Sequence, residues 1–129
     1  MNPLVKIRRF ELKDYGQLER WYADKDVNVP PLECLSETGF IVDDVACGFL
    51  YLTNSAVGLL EAFYANPESD KIDRDLALNS ITLELIELAV VNGCNVLKCE
   101  TKLDAISKRA VAFGFIDVGY FKTFMKEIV

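Results

Sequence analysis

The chain has 129 residues, 51% of them hydrophobic and 26% charged, with a net charge of −6 and no histidine. That length predicts one domain, residues 1–129, with a core of its own. Acidic residues spread along the chain argue against a nucleic-acid surface, and the missing histidine removes serine–histidine and cysteine–histidine nucleophiles and most zinc-enzyme designs.

Val5-Lys6-Ile7-Arg8-Arg9-Phe10 alternates as a strand does. Asp14 predicts a helix start with Gln17 as its capping-box partner, and Tyr15, Leu18 and Tyr22 share a face with Trp21 beside them. Residues 27–35 hold Pro30-Pro31 and predict an extended loop with one further helical turn. A three-strand meander follows: residues 39–42, a turn at Asp43-Asp44, residues 45–52, a turn at Asn54-Ser55, and residues 57–65. The near-continuous apolarity of the third strand predicts burial on both faces. Beyond Asn66-Pro67-Glu68-Ser69, Leu78, Ile81, Leu85 and Leu88 recur at helical spacing up to Asn92-Gly93. Residues 96–100 form a strand, so this strand–helix–strand unit is expected to be parallel. Thr101 caps a helix with the stripe Leu103, Ile106, Ala110 and Phe113, ended by Gly114. Residues 115–118 and 121–128 then predict a closing antiparallel pair.

No apolar run reaches bilayer length, and Met1-Asn2-Pro3-Leu4-Val5-Lys6 has no signal core, so no membrane partner and a cytoplasmic location are expected. Cys34, Cys47, Cys94 and Cys99 contain no C-x-x-C pair and read as reduced, buried thiols. Glu61 is the one charged residue in the apolar run 57–65. Desolvation would raise the pKa of such a carboxylate, as suits a general base; an ion pair or a solvent-facing position is the alternative. Lys102, Lys108 and Arg109 read as a solvated face.

The order of elements resembles the GNAT acyltransferase superfamily over nearly the whole chain. The likeness is carried by Ile7-Arg8 with Asp14, Gly48, Asn66-Pro67, Ala89 with Gly93, and Gly114-Phe115. It implies an α/β (α+β) fold: a single mixed, mostly antiparallel sheet with a central parallel, splayed strand pair and flanking helices. It further implies a wedge for acetyl-CoA or another acyl-CoA between residues 57–65 and 95–100, with the pyrophosphate on the start of the long helix. The cofactor-binding positions so implied are Ala65, Asn66, Lys71, Arg74, Ala77 and Asn79, with Ala77 and Asn79 in the glycine places of the family's phosphate loop. That loop is degenerate here: residues 69–79 contain no glycine and several aspartates, and Asp73 is placed to cap the helix itself. Ala110 stands where many family members carry the tyrosine acid. Glu61 is the candidate base, and Tyr64 the catalytic alternative for proton transfer.

Three functions are open from these residues. One is an acyl-CoA-dependent N-acyltransferase acting on a small amine or a protein acceptor. A second is a catalytically inactive interaction module with a protein partner. Residues 39–51 and the eroded loop resemble small GNAT-like bacteriophage proteins, which implies host cytoplasm or virion for that reading. The third is a CoA-binding sensor. The apolar Phe121, Phe124 and Met125 suggest a homodimer.

Overall fold

A computed structural model describes residues 6–23, 28–101 and 104–128, the side chains of residues 104 and 105 excepted; expectations placed on Val5, Val27, Lys102 and Leu103 lie outside the described residues. One mixed sheet runs in the order β1 (Ile7–Arg9), β2 (Gly39–Val42), β3 (Ala46–Leu52), β4 (Val57–Ala65) and β5 (Val96–Lys98). The first three junctions are antiparallel and β4–β5 is parallel, as the strand–helix–strand unit predicts. The helices are α1 (Tyr15–Tyr22), α2 (Lys71–Val91) and α3 (Asp104–Ala112), with 3₁₀ turns at Leu12–Asp14 and Leu32–Cys34.

Two apolar clusters cover the two faces of the sheet. On one, Ala77, Ile81, Leu85 and Ala89 of α2 pack on Val42, Ala46, Leu50 and Leu60. This stripe repeats every four residues, one helical row. It is rotated from the predicted one because the small Ala77 and Ala89 let the helix approach the sheet, leaving Leu78 and Leu88 half-buried at the flanks. On the other face, Leu18 and Trp21 of α1 close over Ile41, Cys47 and Phe49.

The meander turns where the acidic pair predicts, with Asp44 at φ 61°, a conformation aspartate tolerates. Gly93 at φ 82° and Gly114 at φ 91° end α2 and α3 at the expected residues.

The start of α1 differs from expectation. Asp14 is helical in backbone and does not cap α1; its carboxylate accepts from the Glu11 N–H and from both terminal nitrogens of Arg8, at 2.7 and 2.8 Å. Arg8 also holds Asp43 at 2.6 Å, and Gln17 accepts from the Asp44 N–H. The residues read as a local cap instead tie β1, α1 and the β2–β3 turn together. Their partners lie up to 35 residues away, so local spacing does not reveal them.

The closing strand pair is a second correction. Residues 115–118 and 121–128 contain no strand among the described residues. β5 is also shorter than expected and ends at Lys98. Of the cysteines, Cys47 is buried and Cys94 and Cys99 partly so, all three free; Cys34 is free but exposed, against the buried reading. Burial pushes the Cys47 thiol up to about 12.

β4 is not covered on both faces throughout: Gly58 and Leu60 are buried, while Glu61 is exposed. Opposite it, Gly48 is required by close approach. A Cβ there would lie 2.8 Å from the Phe63 ring and 3.0 Å from Ile81. Gly48→Ala is therefore expected to cost about 1–3 kcal/mol by overpacking, read as a lower urea midpoint with an unchanged slope.

Candidate functional site

The site is organised by two irregularities of β4. The first is a bulge. Cys47 faces Tyr64 and Phe49 faces Glu61, so the single residue Gly48 on β3 opposes both Ala62 and Phe63 on β4. Ala62 takes up the extra length at φ 57°, a left-handed conformation that costs a residue with a Cβ about 1–2 kcal/mol. The bulge places two consecutive side chains on the α1 face: Ala62 packs against the Phe49 cluster, and Glu61 stands opposite Phe49 itself.

The second irregularity is the end of parallel pairing. β4 meets β5 only at Val57–Val96, Gly58–Leu97 and Leu59–Lys98. From Leu60 to Ala65 β4 continues with β3 on one side and, among the described residues, no paired strand on the other. The edge that turns away from β3 there offers backbone N–H and C=O groups to an extended ligand.

Glu61 borders this edge. It is exposed. It lies beside Tyr51, whose phenol is raised first by burial, lowered by hydrogen bonding at Ser36, and raised again by the charge of Glu61. The Tyr51 hydroxyl donates to the Cys34 carbonyl at 2.9 Å, fastening the 3₁₀ turn after Pro30-Pro31 near the carboxylate. Tyr15 pins the start of the same loop by donating to the Pro30 carbonyl at 2.7 Å.

Tyr64 projects to the same face as Glu61. It stacks on Tyr22 with ring centroids 3.9 Å apart, and burial raises its phenol, which stays protonated at neutral pH. Ala65 ends β4 opposite Ala46. Asn66 spends its side chain within the fold: Nδ2 donates to the Asp44 carbonyl and Oδ1 accepts from the Glu68 N–H.

The helix after this junction begins earlier than the glycine register Arg74–Asn79 implies. α2 starts at Lys71, with Asp70 at the cap position and no side-chain hydrogen bond to its first-turn amides. Asp73 therefore does not cap it. Ala77 is 1% exposed, and its side chain packs in the core against the sheet. Arg74 donates to the Ser69 carbonyl at 2.8 Å. Lys71 pairs with Asp75 at 2.9 Å, and Asp75 also receives Arg109 at 3.0 Å. Arg109 bonds Asn79 as well, at 3.0 Å.

The expected Lys71 and Asn79 thus meet through Asp75 and Arg109. Arg109 itself was not foreseen, since it is a bridge from α3 to α2 and not part of a solvated face. The 34-residue separation of this pair leaves no local signal. Asp75 is held below the usual carboxylate range, first by its hydrogen bond from Lys71. Among the described residues no cluster of three or more potential ligands could hold a metal, and no helix is long and apolar enough to cross a membrane.

A β-meander followed by a long helix, a short fifth strand parallel to a bulged fourth, and a further helix define the fold of the GNAT acetyltransferases. Solved structures of that class superimpose on nearly the whole chain. A putative acetyltransferase from Agrobacterium tumefaciens str. C58 matches with a TM-score of 0.68 at 13% identity, covering 95% of this chain and 100% of its own. An aminoglycoside acetyltransferase, meta-AAC0020, from an uncultured soil metagenomic sample, in complex with sisomicin, gives 0.65 at 12% identity over 95% and 97%. The aminoglycoside acetyltransferase AAC(6')-Iy in complex with a CoA bisubstrate analogue gives 0.64 at 15% identity over 96% and 99%. No family model matches the sequence, and no curated protein is similar to it by sequence comparison.

Proposed function

We propose that the chain is an acyl-CoA-dependent N-acyltransferase acting on a small amine. The observation that carries this reading is the unpaired β4 edge from Leu60 to Ala65, with Glu61 at the bulge beside it. An extended chain bearing amides, such as pantetheine, can pair with that edge as an added strand would. The first-turn amides of α2, free of side-chain caps, favour an anion at its other end, with Lys71 and Arg74 alongside. Ala65 lies where the edge and the helix approach. Asn66 shapes the junction through its internal hydrogen bonds, and Asn79 steadies Arg109. That the AAC(6')-Iy complex holds a CoA-containing bisubstrate analogue supports a CoA ligand here.

Acyl-CoA supplies a thioester: the amine nitrogen bonds the carbonyl carbon as the carbon–sulfur bond breaks, and the thiolate leaves. Glu61 takes the amine proton, directly or through one water. Tyr64, neutral and on the same face, can return a proton to the thiolate in place of the residue absent at Ala110. The acceptor is expected between Glu61 and the loop fixed by Tyr51 and Tyr15, and the neighbour bound to sisomicin supports a small amine. The test is release of free CoA thiol from acetyl-CoA in the presence of a panel of amines. Amine-dependent release is expected, and none with any amine would remove the proposed turnover.

A second reading, a CoA-binding sensor without turnover, keeps the same edge and helix start but not the proton transfers, with Asp75 engaging both Lys71 and Arg109. Both readings make the same prediction about that carboxylate. Asp75→Asn releases the two cations toward a diphosphate and is expected to tighten CoA binding severalfold, roughly 1 kcal/mol, as measured by calorimetric titration at low salt.

A further inference from the structure

An open cavity of about 410 Å³ lies between the end of β1 and the loop that follows Pro30-Pro31, within the size range of small-ligand sites. Phe10, Leu12, Leu32 and Leu35 give it apolar walls. Leu12 at 71% exposure and Leu32 at 39% carry that lining out to the rim. The two charged liners, Glu33 and Glu37, are both acidic. The Ser36 hydroxyl is already engaged, donating to the Leu50 carbonyl at 2.6 Å and accepting from the Thr38 N–H at 3.0 Å.

The fold sets this cavity beside Glu61. Its loop is stitched to β3 at Leu50, through Ser36 and through the Leu50 N–H, which donates to the Thr38 carbonyl at 2.9 Å. Leu50 pairs with Leu60, the residue before Glu61, whereas β4 runs on to Ala65 and the start of α2. Two side chains complete the link. Phe10 in the cavity wall meets Phe49 edge-on with centroids 4.9 Å apart, and Phe49 stands opposite Glu61. Tyr51, which feels the charge of Glu61, donates to the carbonyl of Cys34, between Glu33 and Leu35.

Among the described residues neither Glu33 nor Glu37 has an ion-pair partner, and no cation lines the cavity. Of the cations flanking its walls, Arg9 lies over the Phe40 ring and Lys13 holds Glu11 at 3.5 Å. The complementary occupant has an apolar body and a positive end. A ligand covered in hydroxyls would gain little from these walls.

We propose that the acceptor is a diamine with an aliphatic spacer. One amine, unprotonated, faces Glu61. The spacer lies along Phe10, Leu12, Leu32 and Leu35, and the second, protonated amine is held by Glu33 and Glu37. The fate of the first amine rests on the acyltransferase reading; the hold on the spacer and the second amine rests on the cavity alone.

Calorimetric titration of the full chain with α,ω-diaminooctane and with n-octylamine tests the proposal, beside thiol release from acetyl-CoA with the same amines. The diamine should bind about three- to tenfold more tightly than octylamine, an advantage that shrinks with salt. Diamines from butane to octane should tighten by up to about fourfold per methylene until the spacer fills the cavity, and kcat/KM should follow the same order. Glu33→Gln with Glu37→Gln, both exposed positions, should bring the diamine and octylamine to equal affinity. Equal affinity in the natural chain, a diamine preference that survives the double substitution, or no binding of either amine would overturn the proposal. Equal kcat/KM for both amines would overturn the selection and leave the acyltransferase reading standing. Diamine binding that depends on Glu33 and Glu37 without thiol release would uphold the site and remove the turnover.

Discussion

Glu61→Gln is expected to lower amine-dependent thiol release by about 10²–10⁴-fold, the usual contribution of a positioned general base. The amide keeps the shape and hydrogen-bonding reach of the carboxylate but cannot take the proton of the attacking amine. Because Glu61 is exposed and appears in no ion pair of the described residues, folding stability should move by no more than about 0.5 kcal/mol. CoA affinity should also hold, since the proposed ligand contacts are backbone groups of β4 and the start of α2. The discriminating measurement is kcat/KM for the amine beside a CoA titration on the same preparation. Full activity in the variant would remove Glu61 from the mechanism. Loss of CoA binding along with activity would mean that the carboxylate shapes the site and does not act as its base.

The largest expected loss of stability comes from Asp14→Ala. The Asp14 side chain is 4% exposed and accepts two bonds from Arg8 and one from the Glu11 N–H. Its removal leaves the Glu11 N–H without its acceptor and Arg8 with Asp43 and the Arg9 carbonyl. Breaking a fully buried ion pair costs roughly 3–5 kcal/mol; with Arg8 34% exposed, about 2–3 kcal/mol is expected. The same carboxylates set an acid limit. Asp14 and Asp43 are both held below their ordinary value of 3.8, chiefly by hydrogen bonds from Arg8. A carboxyl depressed in the folded state contributes in full above its unfolded pKa and loses that contribution as pH falls toward the folded value. Stability of the natural chain should therefore decline from about pH 4 downward, and Asp14→Ala should flatten that decline. Urea midpoints at neutral pH and at pH 3 check both statements. Equal midpoints for the two chains at neutral pH would show that the bridge does not hold β1 to α1.

Much of the sheet was legible in the sequence because its signals are local. The turn pair Asp43-Asp44, the apolar run from Val57 to Ala65 and the stop at Asn92-Gly93 fixed β2 to β4 and the end of α2 by turn chemistry and periodicity. The parallel β4–β5 pair followed from the intervening helix. What escaped depends on partners distant in sequence. Gln17 and Asp14 have the spacing of a cap, but Arg8 and the Asp44 N–H compete for their side chains and win by charge and geometry. Arg109 resembled any exposed helical cation until Asp75 and Asn79 met it across α2.

At the site, Glu61 was visible as the lone charge in its run, with a desolvated and a solvent-facing position both open; a bulge at Ala62 resets which side chains share a face, and the carboxylate is exposed. The closing strand pair was read from apolar alternation in residues 115–118 and 121–128, and among the described residues these form no strand, because alternation does not by itself supply a pairing edge.

The central claim is that the unpaired β4 edge and the start of α2 form one acyl-CoA site. Thermal unfolding with and without acetyl-CoA tests it most directly, since a ligand that binds only the folded chain must stabilise it. At about a hundredfold excess over its dissociation constant, acetyl-CoA should add about 2.7 kcal/mol, raising the midpoint by several degrees. Lys71→Ala combined with Arg74→Ala should shrink the rise. An unchanged midpoint at millimolar acetyl-CoA, with no heat in a titration, would contradict the claim.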